Sequence, residues 1–229
     1  DVVFVCIDIE SYERRHSKIL EIGIASLDTR HLRDRPPGAD AEHWRFNILA
    51  RHFIIEDHMH YVNHEFVHGC PDRFEFGKSQ VVRLVDAPAA VKACFAPPFA
   101  GSTDDGYNLH EKRNIVFVAH NAKADLDYLN RIGFDALSHP RTLGFLDSEV
   151  LYRVWKRENQ SKSLSGVLGD FGILAWNLHN AGNDAVYTLQ ALLAVCVRES
   201  SIRGAVGGDA QPEPEKERDE NELGDDFVI

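Results

Sequence analysis

Apolar positions in this chain fall first into short runs and later into helical periods. Val2–Ile9 is an apolar run of strand length, and Lys18–Leu27 is a second one, rich in the β-branched residues that suit a sheet beside a core. Pro, Gly and Asp mark Arg33–Asp40 as a turn or loop. Glu42–Ala50 alternates well enough to predict a third strand. Arg51–Ser79 has a mixed pattern that predicts irregular structure with a short helix. Ser79–Phe95 reads as a helix that Pro88 would break or kink, and Pro97–Arg113 as a loop.

A regular alternation follows. Asn114–His120 predicts a strand, and Asn121–Gly133 a helix with Asn121 as N-cap and Gly133 as stop. Arg141–Ser148 predicts a short strand, Glu149–Asn159 a helix, and Ser163–Ile173 another helix. Ala181–Ser200 carries apolar residues at helical spacing and predicts a long closing helix. Strands first and strand–helix alternation afterwards predict an α/β fold, a mixed sheet flanked by helices. The folded domain is expected over 1–203. From 204 to 229 charge, Gly and Pro replace apolar residues, which predicts a disordered acidic tail.

The 229 residues are enough for one sizeable α/β core, and no apolar run approaches the ~18 residues of a membrane span. No signal-peptide pattern opens the chain, and its four cysteines form no C-x-x-C pair. Free thiols in a reducing, intracellular setting, nuclear or cytoplasmic, are therefore expected. Starting at Asp1, the chain reads as a domain cut from a longer protein. A net charge of −11 argues against a generic nucleic-acid binder. Yet residues 209–226 hold nine acids and two bases, so −7 sits in the tail and −4 elsewhere. A nucleic-acid substrate stays open.

The candidate chemistry begins at the end of the first strand. Asp8 and Glu10 are two residues apart, so they face the same side, and a cation between them would relieve their repulsion. Oxygen ligands on a rigid strand suit Mg²⁺ or Mn²⁺. The alternative is a strand end running out into a polar turn. Asp125 lies in the first turns of the 121–133 helix and could reach the same place, with Asp127 as a competitor. His179 precedes Asp184 by five residues, in the loop before the closing helix, where an imidazole can act as general base.

Together, D-x-E on a first strand, H-N-x-K-x-D opening a middle helix and H-x-x-x-x-D opening the last helix resemble the DEDDh superfamily of 3′→5′ exonucleases. Ser163–Ile173 is similar to that family's S-L-x-x-L helix, and Leu146–Ser148 to its strand-ending D-S. The resemblance covers Val2 to Val197, with an insertion at about 36–113 that matches poorly and is similar to enlarged fungal members. It implies a ribonuclease-H-like mixed β-sheet flanked by helices. Asp8, Glu10 and Asp184 would hold one of two Mg²⁺ or Mn²⁺ ions, Asp125 would support the second, and Asp8 would be shared. His179 would deprotonate the attacking water. Ser11, His120, Asn121 and Lys123 would contact the substrate, a single-stranded RNA or DNA 3′ end. Ser11 stands where many members have Thr, and Ala124 where an aromatic residue is common.

Other features carry rival readings. The fold could be a catalytically silent scaffold that binds RNA or a protein, through a missing upstream region or the acidic tail. His60, His64 and His68, spaced by four as on one helical face, lie with His58 and Cys70 and could form a zinc site. Arg153–Lys162 is the most basic stretch, and its simplest reading is a solvated helix face.

Overall fold

A computed structural model describes residues 1–103 and 108–207. Six strands form one sheet in the order β4-β3-β2-β1-β5-β6. They are β1 (Val3–Ser11), β2 (Ile19–Asp28), β3 (Leu49–Ile55), β4 (Gln80–Val82), β5 (Ile115–Ala119) and β6 (Thr142–Asp147). The first three form an antiparallel meander. The others run parallel to their neighbours: β4 to β3, β5 to β1 and β6 to β5.

The sheet is mixed and covered on both faces, as the sequence pattern predicts. Alternation along β1 sends Val3, Val5, Ile7 and Ile9 to one face, where α2 (Ala87–Ala93) and α3 (Lys123–Ile132) close the core. Cys6 points to the other face and packs against α6 (Ala181–Gly207). The helices α4 (Ser148–Lys156) and α5 (Leu164–Asp170) then cover the far side of α6. Sandwiched this way, α6 is buried on all sides from Ala181 to Val195, which explains why its apolar residues do not keep to one stripe.

Several expectations need correction. Glu42–Ala50 is not a strand. Asp40 and Ala41 are left-handed, Glu42–Arg45 makes one helical turn (α1), and β3 begins only at Leu49. Trp44 and Ile48 pack into the α6 cluster instead of alternating on a sheet. β3 then runs on to Ile55 through residues expected to be irregular, because Ser26 to Glu21 of β2 offer it a full ladder. The short helix expected after residue 51 is a 3₁₀ turn at Glu56–His58. The 79–95 helix divides into β4 and α2. Pro88 opens α2 rather than breaking it, since the first turn needs no proline N–H.

Asn121 does not cap α3. It sits at φ 57, and its N–H and that of Ala122 are taken by the Asp147 carboxylate from β6. Gly133 does stop α3 in a left-handed turn. α6 continues to Gly207, beyond the 203 boundary. The expected tail from 208 onward lies outside the described residues. The 36–113 stretch supplies β3, β4 and α2, so most of its regular structure belongs to the central sheet and its cover.

Candidate active site

The carboxylates converge where β1 outruns its parallel neighbour. β5 pairs with β1 only from Val3 to Cys6, so the later N–H groups of β1 lose their ladder on that side. Asp125, in the first turn of α3, accepts the Ile9 N–H at 2.9 Å. This bond anchors Asp125 next to Asp8 and Glu10. Asp127, the competitor, is exposed on the same helix.

From the other face comes α6. Asp184 accepts the His179 N–H through Oδ2 at 2.9 Å, while its buried Oδ1 has no hydrogen-bond partner. His179 is held at φ 66, a left-handed conformation rare for histidine, with Nδ1 3.9 Å from Glu10 Oε1. Glu10, His179 and Asp184 offer ligand atoms within 4.8 Å of one another, the only such group among the described residues.

Two features that the sequence reading missed hold α6 in place. Gly23 lies opposite Asp8 on β2, and a Cβ there would sit 1.8 Å from the Ala181 carbonyl oxygen. The backbone at the start of α6 therefore lies directly on the sheet. Beside it, Glu21 accepts the Ala181 N–H at 3.3 Å and bonds His52 Nε2 at 2.8 Å, while His52 Nδ1 meets Ser79 Oγ at 2.9 Å. Glu21, itself buried, is a fifth acid facing the cluster. Its signal in the sequence is an acid inside the apolar run Lys18–Leu27; its partner is visible only in the fold.

These acids crowd one another. Burial, then repulsion from Asp184, Asp125, Glu10 and Glu21, pushes the Asp8 carboxyl well above its ordinary range. Burial and the charge of Asp184 push Glu10 up to about 8. Asp125 and Asp184 rise to about 7, chiefly through burial. Burial also lowers the His179 pKa, which favours the neutral ring. Concentrated negative charge, oxygen donors and an unpartnered buried carboxylate oxygen fit a hard divalent cation.

The expected substrate contacts fall in different surroundings. Ser11 Oγ lies 2.8 Å from Tyr128 Oη and 3.1 Å from His16 Nδ1. Both ring nitrogens of His120 are occupied, by Ser148 Oγ at 2.8 Å and the Lys162 carbonyl at 3.1 Å, so this histidine fastens α4 to the core. Asn121 and Lys123 are exposed at the start of α3. A cavity of about 200 Å³ opens beside Glu10 and His179, walled by Leu20, Ile54, Tyr61 and Val62.

The histidine-rich stretch is not a helix. His58 is buried with Nδ1 on the Ile19 carbonyl at 2.6 Å, His60 packs against Tyr61, and His64 Nδ1 meets the Val62 carbonyl. The stretch is irregular, so spacing by four no longer aligns these rings. Cys70 donates to the Asn177 and Leu178 carbonyls, and all four cysteines are free. In the basic stretch, Arg153 pairs with Glu149, and Lys156 and Lys162 with Asp170, so most of its charge is matched locally.

Comparison with known proteins bears on this geometry. A family profile described as DNA polymerase III subunit epsilon-like, C-terminal domain, of DEDDh type, matches residues 3–195. An uncharacterised nucleolar protein of Schizosaccharomyces pombe is 28% identical over 82% of this chain and 67% of its own length. The Saccharomyces cerevisiae protein called Good for full DBP5 activity protein 2 is 29% identical over 83% of this chain, which spans only 35% of that relative. Among solved structures, exonuclease I superposes with a TM-score of 0.55 at 14% identity, covering 91% of this chain and 44% of its own. The nuclease domain of 3′hExo, described as a DEDDh family member bound to rAMP, gives a TM-score of 0.50 at 14% identity over 86% of this chain and 92% of its own. These structural likenesses show a shared ribonuclease-H-like α/β fold. The profile match over most of the chain shows the family itself: this protein belongs to the DEDDh superfamily of exonuclease-like domains.

Proposed function

We propose that the chain is a metal-dependent 3′→5′ exonuclease that removes 5′-nucleoside monophosphates from the 3′ end of a nucleic acid. The observation that carries this reading is the meeting of Asp8, Glu10, Asp125 and Asp184 around a buried carboxylate oxygen with no protein partner, with His179 Nδ1 3.9 Å from Glu10. A scaffold that only bound RNA or protein would gain nothing from clustering buried acids. Glu10 and Asp184, with Asp8, would hold one divalent cation, and Asp8 with Asp125 a second. When bound, such ions stabilise the charge that builds on the attacking and leaving oxygens of an in-line displacement at phosphorus.

The chain's own residues supply the rest. The cavity beside Glu10 takes the terminal nucleotide and fixes which phosphodiester lies at the carboxylates. His179, exposed at the rim and favoured in its neutral form, accepts a proton from the attacking water. The new bond joins water oxygen to phosphorus as the bond from phosphorus to the preceding 3′ oxygen breaks. That oxygen takes a proton from solvent, which leaves a shortened strand with a 3′ hydroxyl. The left-handed turn at His179 holds the imidazole over Glu10, and the Asp184 carboxylate secures that turn.

Incubation of 5′-labelled single-stranded RNA and DNA with Mg²⁺, Mn²⁺ or EDTA tests this. A ladder shortening from the 3′ end, abolished by EDTA, Asp8→Ala and His179→Ala, is expected. Folded protein that leaves both strands intact with every metal would overturn the reading.

A further inference from the structure

The turn that carries His179 is costly backbone. Asn177 and His179 sit at φ 51 and 66, two left-handed residues on either side of Leu178. A residue with a Cβ keeps such a conformation only where its surroundings over-determine it. The carbonyls of residues 177 to 179 also belong to no helix or strand, so their partners must come from elsewhere.

They come from a strap at residues 70–75, inside the 36–113 stretch that matches the DEDDh pattern poorly. Cys70 faces all three carbonyls. Its N–H meets that of His179 at 3.4 Å, and its Sγ lies 3.4 and 3.3 Å from those of Asn177 and Leu178, which share the single thiol proton. Asn183, fully buried in the first turn of α6, spans turn and strap. Its Nδ2 donates to the carbonyls of Arg73 at 2.9 Å and Asn177 at 3.0 Å, and its Oδ1 accepts the Glu75 N–H at 2.9 Å. Asn180, also fully buried, donates to the Cys70 carbonyl at 3.1 Å and accepts the Asn183 N–H at 3.1 Å. The Phe74 ring rests on Gly182, where a Cβ would come within 2.6 Å of it.

The strap is itself fixed upstream. The Glu13 carboxylate accepts the backbone N–H groups of His64, Glu65, Phe66 and Val67 at 2.9–3.3 Å. Asn63 accepts the Glu13 N–H at 2.9 Å and donates to the Ser11 carbonyl at 2.8 Å, and the Gly69 N–H bonds the Asn63 carbonyl at 3.1 Å. This Glu13 lock ties the chain just before Cys70 to the end of β1, so the strap resists being pushed aside by the turn. Among the described residues, the side chains of Cys70 and Asn183 bond backbone groups alone. Any effect they have on the chemistry therefore runs through the backbone that carries the imidazole.

We propose that Cys70 and Asn183 are positioning residues that hold the His179 turn in its left-handed form, so that the imidazole stands over Glu10 to take the proton of the attacking water. This rests on the exonuclease reading for the proton transfer, but the hold on the turn can be measured without catalysis. The test combines rates of 3′ shortening with amide hydrogen exchange read by NMR, on Cys70→Ala, Cys70→Ser and Asn183→Ala. The His179 N–H, bonded to Asp184 Oδ2, reports opening of the turn. In Cys70→Ala it should exchange about fivefold faster and kcat should fall about fivefold, with KM and the Mn²⁺ concentration for half-maximal rate within about twofold of the parent. Serine keeps a donor at residue 70, so Cys70→Ser should bring both values back to within about twofold of the parent. Asn183→Ala strips three bonds and should lower kcat about 100-fold; where it fails to fold, Cys70→Ala decides alone. In a His179→Ala background Cys70→Ala should change kcat by less than about twofold, because the group it positions is gone. Parental kcat in Cys70→Ala, or an equal loss with and without His179, would overturn the proposal. Faster exchange at His179 in a protein that hydrolyses nothing would uphold the hold on the turn and remove the exonuclease reading. Unchanged exchange in an enzyme that still shortens 3′ ends would overturn the positioning role and leave that reading standing.

Discussion

Replacing Gly23 by alanine adds one methyl group at the point where α6 rests on the sheet. The new Cβ would lie 1.8 Å from the Ala181 carbonyl oxygen, 2.0 Å from its carbon and 2.4 Å from Gly182 N. All three are backbone atoms, so no side chain can swing aside. Moving from 1.8 Å to ordinary contact at 3.4 Å requires the start of α6 to retreat by about 1.6 Å. Overpacking of this kind costs about 1–3 kcal/mol. For a domain of this size that lowers Tm by roughly 2–12 °C. The retreat also lengthens the Glu21–Ala181 bond and carries Asp184 and His179 away from Glu10. A displacement near 1 Å at reacting groups costs on the order of 100-fold in rate. Circular dichroism on heating, with the rate of 3′ shortening at a temperature where the variant is folded, reads both effects. Parental Tm and parental rate in Gly23→Ala would refute the claim that this contact sets the position of Asp184.

Three further outcomes follow from the same geometry. Glu21→Gln keeps an oxygen able to accept from His52 and Ala181, so urea unfolding should change by less than about 1 kcal/mol, whereas Glu21→Ala strands both donors and should cost about 1–3 kcal/mol; equal losses in the two variants would contradict the bonding role. Because Glu10, Asp125 and Asp184 titrate higher when folded than their ordinary carboxylate values, these groups take up extra protons on folding and oppose it increasingly as pH rises from about 4 to 8; in chelator Tm should fall from about pH 5 to 8 and recover with Mn²⁺ at pH 8, and a Tm that rises over that window would be inconsistent. Asp147→Ala removes one carboxylate that accepts N–H groups from Asn121, Ala122, Glu149 and Val150; a loss of about 0.5–2 kcal/mol or more by urea unfolding, with a slower rate through Asp125, is expected, and unchanged stability would show the caps to be replaced by water.

The parts of this fold legible in the sequence are those whose determinants are local. The apolar runs of β1 and β2, the helical periods of α3 and α6, and the stop at Gly133 all depend on near neighbours in the chain. β4 is three residues long and exists because β3 offers it an edge, so nothing local marks it. Trp44 looks like a strand residue until α6 is present to bury it. Asn121 has the chemistry of an N-cap, but Asp147, distant in sequence, supplies the bonds. At the candidate site, the resemblance to the DEDDh motifs pointed to Asp8, Glu10, Asp125, His179 and Asp184, each near the end of a strand or the start of a helix, while spacing alone left Asp127 as a competitor to Asp125. Glu21–His52, the Gly23 contact and the Glu13 lock join segments tens of residues apart, and no pattern along one segment reveals them. The histidines at 60, 64 and 68 show the opposite error, a helical spacing in a segment that forms no helix.

The most direct test of the central claim is a crystal of this chain grown with Mn²⁺ and a nucleoside 5′-monophosphate, with data collected at the manganese absorption edge. The account predicts one anomalous peak against Glu10 and Asp184 Oδ1, a second between Asp8 and Asp125, and the phosphate of the nucleotide touching both. Absence of manganese from the carboxylates, or a single peak at the His58–Cys70 loop instead, would contradict it.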